Sequence, residues 1–158
     1  MFQHVLNWTQ NILFDDKQSS ASLFMIVTGV ARTGKSHLIE AVHNMVDREL
    51  RLQGEESDKP KVLLTAPTGT AAFNISRHTI HSALHLPPRN FDDTYRKLSD
   101  FTCNQLRVQL CQLELLIIDE ISMVSLTALI YRNKRLQQIE DSTDPFGGVL
   151  VIAVGDFY

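Results

Sequence analysis

The chain contains the octapeptide GVARTGKS at residues 29–36, which fits the pattern G-x-x-x-x-G-K-[ST]. A continuous apolar run at residues 24–27 precedes it, and an amphipathic segment at residues 35–50 follows it. A glycine-containing loop between a strand and a helix can hold phosphate groups, because its backbone N–H groups and the helix N-terminus face the anion. The octapeptide therefore predicts a phosphate-binding loop; a plain strand-to-helix turn with a capping serine is the alternative.

Two side chains of this loop carry the predicted chemistry. Lys35 supplies a full positive charge to the phosphates of ATP, and the Ser36 hydroxyl is a ligand for Mg²⁺. Mg²⁺ otherwise keeps water and phosphate oxygens as ligands. The residues predicted to bind the nucleotide are Gly29, Ala31, Arg32, Thr33, Gly34, Lys35 and Ser36.

Four continuous apolar runs predict strands that are covered on both faces, as in a parallel sheet. They lie at residues 24–27, 61–64, 113–118 and 149–154. Connected by helices, they predict an α/β fold: a three-layer sandwich with a mainly parallel sheet. We expect residues 1–158 to form one domain, because the chain has the length of a single domain.

Apolar residues at helical spacing predict the helices that cover the sheet. One helix covers residues 35–50, with an apolar face of Leu38, Ala41, Val42, Met45 and Val46, and another covers residues 126–139 before the turn DPFGG at residues 144–148. Val5, Trp8, Ile12 and Leu13 predict an N-terminal amphipathic helix, with a base-stacking Trp8 as the alternative. Residues 51–60 read as a surface connection and residues 86–103 as an irregular excursion.

The run LLIIDE at residues 115–120 ends a predicted strand in two carboxylates with no adjacent lysine or arginine. Ligands of doubly wound sheets bind at the carboxyl ends of the strands, so we expect Asp119 to lie near the phosphate loop and hold Mg²⁺ together with Ser36. Glu120 would activate the attacking water as a general base. Lys35, Asp119 and Glu120 are thus the predicted catalytic residues; turn or helix-capping carboxylates are the alternative.

Composition limits the classes of protein that the chain can represent. With 44% hydrophobic residues, 21% charged residues and a net charge of −3, it is typical of a soluble globular protein without a global basic field. Any contact with nucleic acid must therefore be local. No segment reads as a secretory signal or a membrane span. Cys103 and Cys111 match no common zinc or redox spacing and are predicted to be reduced and mostly buried.

Four blocks together resemble the PIF (petite integration frequency) family of 5′-to-3′ DNA helicases of superfamily one, including the helicases of rolling-circle transposons. They are GVARTGKS at residues 29–36, LLTAPTGTAAFNI at residues 63–75 with TIHSAL at residues 79–84, LLIIDEISMV at residues 115–124, and GDF at residues 155–157. Their order and spacing are similar to those of the family's first RecA-like domain over nearly the whole chain. The resemblance implies a P-loop NTPase (RecA-like) three-layer sandwich and an ATP-hydrolysing DNA helicase.

The resemblance also implies a path for single-stranded DNA. In the family, the TAPTG and TIHS blocks lie along the bound strand, which implicates Pro67, Thr68, Gly69, Thr79 and His81. From the residues alone, a turn rich in threonine and glycine can present N–H and hydroxyl groups to phosphates. Surface or core histidines without a ligand remain the alternative for His81 and its neighbours.

Two departures from the family pattern bear on activity. Arg32 stands where family members usually carry glycine, and its side chain would project outward or crowd the phosphates, so we expect weakened but retained ATP binding. The family's second RecA-like domain, with its arginine that stabilises transition-state charge, is expected to be missing beyond Tyr158. Gln10 is the one candidate for a contact with adenine.

The family resemblance implies roles in DNA repair, recombination and telomere maintenance, in the nucleus or the mitochondrion. A truncated, transposon-derived remnant that binds nucleotide without efficient hydrolysis or unwinding is the alternative. A P-loop kinase or GTPase is less well supported, because the sequence shows neither a base-specificity motif nor an acceptor-binding lid. The sequence leaves the oligomeric state open.

Overall fold

The computed structural model describes residues 24–51, 59–68, 78–79, 83–86 and 95–156. The N-terminal helix predicted around Trp8, the adenine candidate Gln10, and the DNA candidates Gly69 and His81 lie outside the described residues.

Five strands form one parallel sheet, which confirms the predicted α/β fold. They are β1 (Phe24–Thr28), β2 (Val62–Ala66), β3 (His78–Thr79), β4 (Leu115–Ile118) and β5 (Leu150–Gly155). Their order in space is β1-β5-β4-β2-β3, and every neighbouring pair is parallel. The four predicted runs correspond to β1, β2, β4 and β5. Strand β3 was not predicted, because two residues are too few to show a pattern.

The sheet separates two hydrophobic cores, because consecutive strand residues point to opposite faces. Helix α1 (Lys35–Leu50) packs on one face, where Val42 and Val46 meet strand residues such as Ile117. Helices α2 (Asp100–Leu110) and α3 (Leu126–Glu140) pack on the other face. Helices on both faces give the predicted three-layer arrangement.

Helix α1 has the predicted bounds but a slightly different buried face. Ile39 is buried and was not included in the predicted face, whereas Ala41 is exposed and was included. Successive residues of a helix are about 100° apart, so Ala41 turns away from the side on which its neighbour Val42 is buried.

Strand β1 differs from the prediction of two covered faces. Its residues alternate in exposure, and Phe24 and Ile26 are 42% and 55% exposed. In the described sheet β1 pairs with β5 alone and so lies at an edge. Phe24 stacks on Phe146 of the turn after α3, with 5.7 Å between the ring centroids.

Helix α2 corrects the prediction of an irregular excursion at residues 86–103, since its first turn begins at Asp100. Ser99 caps this helix by accepting a hydrogen bond from Thr102 N at 3.3 Å. Helix α3 matches its prediction closely and is capped by Ser125, which accepts from Ala128 N at 3.2 Å. None of the helices in the described ranges is long and apolar enough to cross a bilayer.

The two cysteines are free, and only one of them follows the prediction of burial. Cys103 is buried on α2, where residues at helical spacing face α3. Cys111 is exposed, because it follows the last residue of α2 at the surface.

Candidate functional site

The loop between β1 and α1 presents an open helix N-terminus. Gly34 has the left-handed conformation (φ 84°, ψ 18°) and no side chain caps the helix there. A Cβ at Gly34 would meet nothing within 4 Å, and the first described helical bond in this turn runs from Leu38 N to Gly34 O at 3.0 Å. No side chain therefore occupies the leading N–H groups of α1, which leaves them able to bind an anion.

The first glycine of the loop is required by close packing. A Cβ at Gly29 would lie 2.9 Å from Thr33 Oγ1, a distance that real Cβ contacts do not show. Thr33 Oγ1 in turn donates a hydrogen bond to Val30 O at 2.8 Å. The Thr33 side chain thus packs against position 29, and a larger residue than glycine there would displace it.

Arg32 occupies a left-handed backbone conformation with φ of 65°. A residue with a Cβ adopts this region at a cost of roughly 1–2 kcal/mol, which glycine does not pay. The Arg32 side chain is exposed. Arg32 therefore differs from glycine in three ways: it strains the backbone of the loop, it adds a positive charge, and it adds a bulky side chain.

Lys35 lies at the start of α1 with its ammonium turned back onto the loop. Nζ donates to Gly29 O and to Val30 O, both at 2.8 Å, and forms an ion pair with Asp156 Oδ1. Asp156 directly follows β5, the strand that pairs with β1 through the register Thr28↔Gly155. The sheet itself brings this carboxylate beside the loop.

Asp119 directly follows β4 and is 7% exposed. Its N–H donates to Thr65 O at 2.9 Å, and its Oδ1 accepts from Glu120 N at 2.8 Å. Burial raises the pKa of Asp119; the Glu120 amide and the charge of Lys35 lower it, and the charge of Asp156 raises it further. Lys35 and Asp119 follow the carboxyl ends of β1 and β4 in the same parallel sheet, and the charge of Lys35 acts on the Asp119 carboxylate.

Glu120 is partly buried and has a left-handed backbone (φ 50°, ψ 43°). It leads into a 3₁₀ turn at Ile121–Met123, in which Met123 N donates to Glu120 O at 3.0 Å. A left-handed conformation in a residue with a Cβ costs free energy and persists when the surroundings impose it. The end of β4 and the 3₁₀ turn together hold the backbone of Glu120 in this conformation and so fix the position of its Cβ.

The DNA candidates that the structure describes lie farther along the same edge. Pro67 and Thr68 follow β2 and are partly buried, and Thr79 pairs with Ala66 where β3 joins β2. Three strand spacings separate β1 from β2, which corresponds to about 14 Å. The phosphate loop and the β2–β3 end are therefore neighbouring but separate parts of one edge.

A family model described as PIF1-like helicase matches residues 5–158, nearly the whole chain. The chain belongs to the PIF1-like helicase family. The family assignment confirms the resemblance seen in the four sequence blocks.

Individual PIF1-like helicases are similar to this chain over part of their length. Pif1 of Bdellovibrio bacteriovorus, named an ATP-dependent DNA helicase, is 36% identical over 135 residues, which are 84% of this chain and 28% of that protein. Pif1 of Candida albicans has a crystal structure with a TM-score of 0.66 and 30% identity, covering 98% of this chain and 32% of that one. Bacteroides Pif1 in complex with ADP-AlF3 and ssDNA has a TM-score of 0.61 and 30% identity, covering 94% and 31%. The chain thus spans about a third or less of these relatives.

Two residues of this PIF1-like site were not assigned a role from the sequence. Asp156 contacts Lys35, and Gly155 packs against the 3₁₀ turn after Glu120. Both belong to the GDF block, and the signal for Asp156 was the same as for Asp119: a carboxylate directly after an apolar strand. Their contacts became visible only with the strand order, which places β5 between β1 and β4.

The described residues contain no group of three or more His, Cys, Asp or Glu side chains placed to hold a metal ion. Mg²⁺ in nucleotide sites is commonly bound by one or two protein oxygens together with phosphate oxygens and water. The Ser36 hydroxyl, which is exposed, and the Asp119 carboxylate suit that mode of binding.

Proposed function

We propose that this chain is the first motor domain of an ATP-dependent 5′-to-3′ DNA helicase, which binds Mg-ATP and single-stranded DNA. The observation that carries the proposal is the convergence of Lys35 and Asp119 at the carboxyl edge of the sheet, beside an uncapped helix N-terminus. Such an edge is where α/β proteins bind nucleotides. The membership in a helicase family supplies the class of reaction.

The nucleotide site is proposed to consist of the loop residues and the acids that follow β4. The residues that would hold the phosphates are Gly29, Ala31, Arg32, Thr33, Gly34, Lys35 and Ser36. Ser36 and Asp119 would hold Mg²⁺, which when bound neutralises charge that develops on the phosphates. The open space at Gly34 and the exposed Ser36 hydroxyl fit this arrangement.

Three side chains have separate roles in the proposed hydrolysis of ATP. Lys35 would exchange one of its partners at the loop for phosphate oxygens, and Asp119 would orient the metal. Glu120 would accept a proton from the attacking water, and its partly buried position directly after Asp119 supports that role. Positioning and charge neutralisation dominate phosphoryl transfer, so these contacts account for most of the chemistry that one domain can supply.

Single-stranded DNA is proposed to bind at the β2–β3 end through Pro67, Thr68, Gly69, Thr79 and His81. The position of Pro67, Thr68 and Thr79 at the edge beside the nucleotide site supports simultaneous binding of both ligands. The Bacteroides Pif1 complex contains both ADP-AlF3 and ssDNA, which supports the same pair of ligands here.

We further propose that a second motor domain completes the enzyme. Its arginine would stabilise transition-state charge, a contribution worth several orders of magnitude in rate, so this chain alone would hydrolyse ATP slowly and unwind no duplex. Roles in DNA repair, recombination and telomere maintenance, in the nucleus or mitochondrion, follow from the family. The competing proposal is a transposon-derived remnant that binds nucleotide only, and Arg32 favours it because its backbone strain and charge sit inside the phosphate loop.

Binding of Mg-ATP to the purified chain tests the nucleotide half of the proposal. We expect saturable binding that is weakened about tenfold or more, but remains measurable, in Lys35→Ala and is unchanged in the matched control Lys97→Ala, whose side chain is exposed. Binding that does not depend on Lys35 would remove the motor function and leave the remnant, and no binding would contradict both proposals.

Binding of a single-stranded oligonucleotide at two salt concentrations tests the DNA half. Phosphate contacts release counterions, so affinity must fall as salt rises. Thr68→Val should weaken binding more than Thr127→Val, a control at an exposed position of α3. Salt-independent affinity, or equal effects of the two variants, would contradict the proposed DNA path.

A further inference from the structure

The ammonium of Lys35 has three N–H donors, and the structure gives it three partners. Two are the carbonyls of Gly29 and Val30, each 2.8 Å from Nζ, and the third is the carboxylate of Asp156. Two hydrogen bonds and one ion pair surround the ammonium, so a phosphate oxygen that binds Lys35 competes with these partners. The identity of the partner that leaves determines the free energy of that exchange.

Asp156 is the charged member of the three. Its Oδ1 is shielded from solvent, and the Lys35 ammonium pairs with that atom. A charge-assisted contact to a carboxylate is stronger than one to a neutral carbonyl, so Asp156 is the main competitor of a phosphate for Lys35. The side chains of Lys35 and Asp156 are 15% and 32% exposed, so water screens the pair only in part.

Asp119 does not share this position. Its Oδ1 accepts a hydrogen bond from Glu120 N, and its charge acts on Lys35 through space without an ion pair among the described residues. The two carboxylates therefore have different partners. Asp119 is oriented by the amide of Glu120, whereas Asp156 is paired with Lys35. The strand order explains the difference, because β5, which Asp156 follows, lies next to β1, whereas β4, which Asp119 follows, lies one strand farther away.

We propose that Asp156 is a positioning residue that holds Lys35 against the phosphate loop and lowers the affinity for nucleotide by competing with the phosphates. This inference rests on the proposed nucleotide-binding function and names a regulator of the same site. A ligand with several phosphate contacts can replace Asp156 at Lys35, whereas a ligand with a single weak contact cannot. The ion pair thus selects for polyphosphates.

Affinity for Mg-ATP in four proteins tests the proposal: the wild type, Asp156→Asn, Lys35→Ala and the double variant. We expect Asp156→Asn to bind about threefold to tenfold more tightly than the wild type. In the Lys35→Ala background the same substitution should change affinity less than about twofold. Equal gains in both backgrounds would show simple repulsion between Asp156 and phosphates, and would overturn the proposal, as would unchanged or weaker binding by Asp156→Asn.

Two further variants serve as controls. Asp156→Glu keeps the charge and should retain an affinity close to that of the wild type. Asp47→Asn removes one negative charge from the ion pair with Arg51 on α1 and should leave the affinity for Mg-ATP unchanged. A gain in Asp47→Asn as large as that in Asp156→Asn would assign the effect to net charge and contradict the specific role.

A measurement without nucleotide separates failure of this inference from failure of the proposed function. The thermal midpoint of the double variant should fall by less than the sum of the falls in Lys35→Ala and Asp156→Asn, because the two residues contact each other. Additive losses together with Lys35-dependent binding of Mg-ATP would remove the inference and keep the function. Non-additive falls in the thermal midpoint, in a protein that does not bind Mg-ATP, would contradict the proposed function while still supporting the Lys35–Asp156 ion pair.

Discussion

Gly155 lies directly against the backbone of Ile121, so that a Cβ at position 155 would approach Ile121 N to 3.0 Å and Ser122 N to 3.2 Å. The last residue of β5 thereby touches the 3₁₀ turn that follows Glu120. Two of the atoms in contact are backbone atoms, which cannot move aside without moving the turn. Position 155 thus links the strand that carries Asp156 to the segment that carries Glu120.

Gly155→Ala is expected to lower the free energy of unfolding by roughly 1–3 kcal/mol, because the added methyl group must displace the backbone of the turn. Urea unfolding followed by circular dichroism measures the change. Adding Ile121→Ala removes the Ile121 side-chain contact at 3.0 Å but leaves both nitrogens in place, so it should not restore stability. Full recovery in the double variant would show that the side chain alone limits the space.

Arg32→Gly is expected to raise the free energy of unfolding by up to about 1 kcal/mol and to tighten the binding of Mg-ATP, because glycine adopts the left-handed conformation at φ 65° without strain. Calorimetric titration and thermal unfolding measure the two effects. Arg32→Ala separates charge from backbone, since it removes the guanidinium but keeps the Cβ. Equal nucleotide affinity for the protein and Arg32→Gly would contradict this account of the loop.

The parts of the fold that the sequence predicted are those in which a local pattern has one physical explanation. The run at residues 115–118 is apolar at every position, and β4 is buried at every position. The octapeptide at residues 29–36 connects β1 to α1 as expected. Asp119 and the phosphate loop both follow carboxyl ends of strands because parallel strands end at one edge, a rule that needs no knowledge of the strand order.

The parts that could not be predicted depend on tertiary neighbours. Apolar residues in β1 do not reveal that it lies at the edge of the described sheet, where Ile26 is 55% exposed. Cys103, Leu106 and Leu110 are buried at helical spacing in α2, but two prolines and a polar stretch upstream obscured that period. The pairing of Lys35 with Asp156 follows from the insertion of β5 beside β1, which no local pattern records.

Arg132→Met is expected to raise the free energy of unfolding by about 1–3 kcal/mol, because it replaces a buried cation by an apolar side chain of similar length. Arg132 is 1% exposed, its Nε and Nη1 have no hydrogen-bond partner in the part of the chain that the structure describes, and burial lowers its pKa to about 10. Urea unfolding at pH 7 measures the change. Arg48→Met is the control at an exposed position of α1 and should stay within about 0.5 kcal/mol. A loss of stability in Arg132→Met would reveal an anionic partner for this side chain.

Asp119→Asn is expected to raise stability at pH 7 while abolishing the binding of Mg-ATP. Burial raises the pKa of Asp119 above its ordinary value of 3.8, so between the unfolded and folded pKa values the folded protein binds more protons. Stability from this group is therefore present at low pH and is lost as pH rises through the folded pKa. Asparagine keeps an oxygen that can accept from Glu120 N but carries no charge, which removes the cost of burial at neutral pH.

Urea midpoints at pH 7 and near pH 2.5, compared between the two proteins, measure this effect of Asp119→Asn. The gain should be large at neutral pH and should vanish at acid pH, where the wild-type carboxyl is protonated in both states. Glu49→Gln, at an exposed position of α1, should show no such dependence. A wild type more stable than Asp119→Asn at pH 7 would mean that attraction to Lys35 outweighs desolvation, and that this acid stabilises the fold as well as serving the proposed metal site.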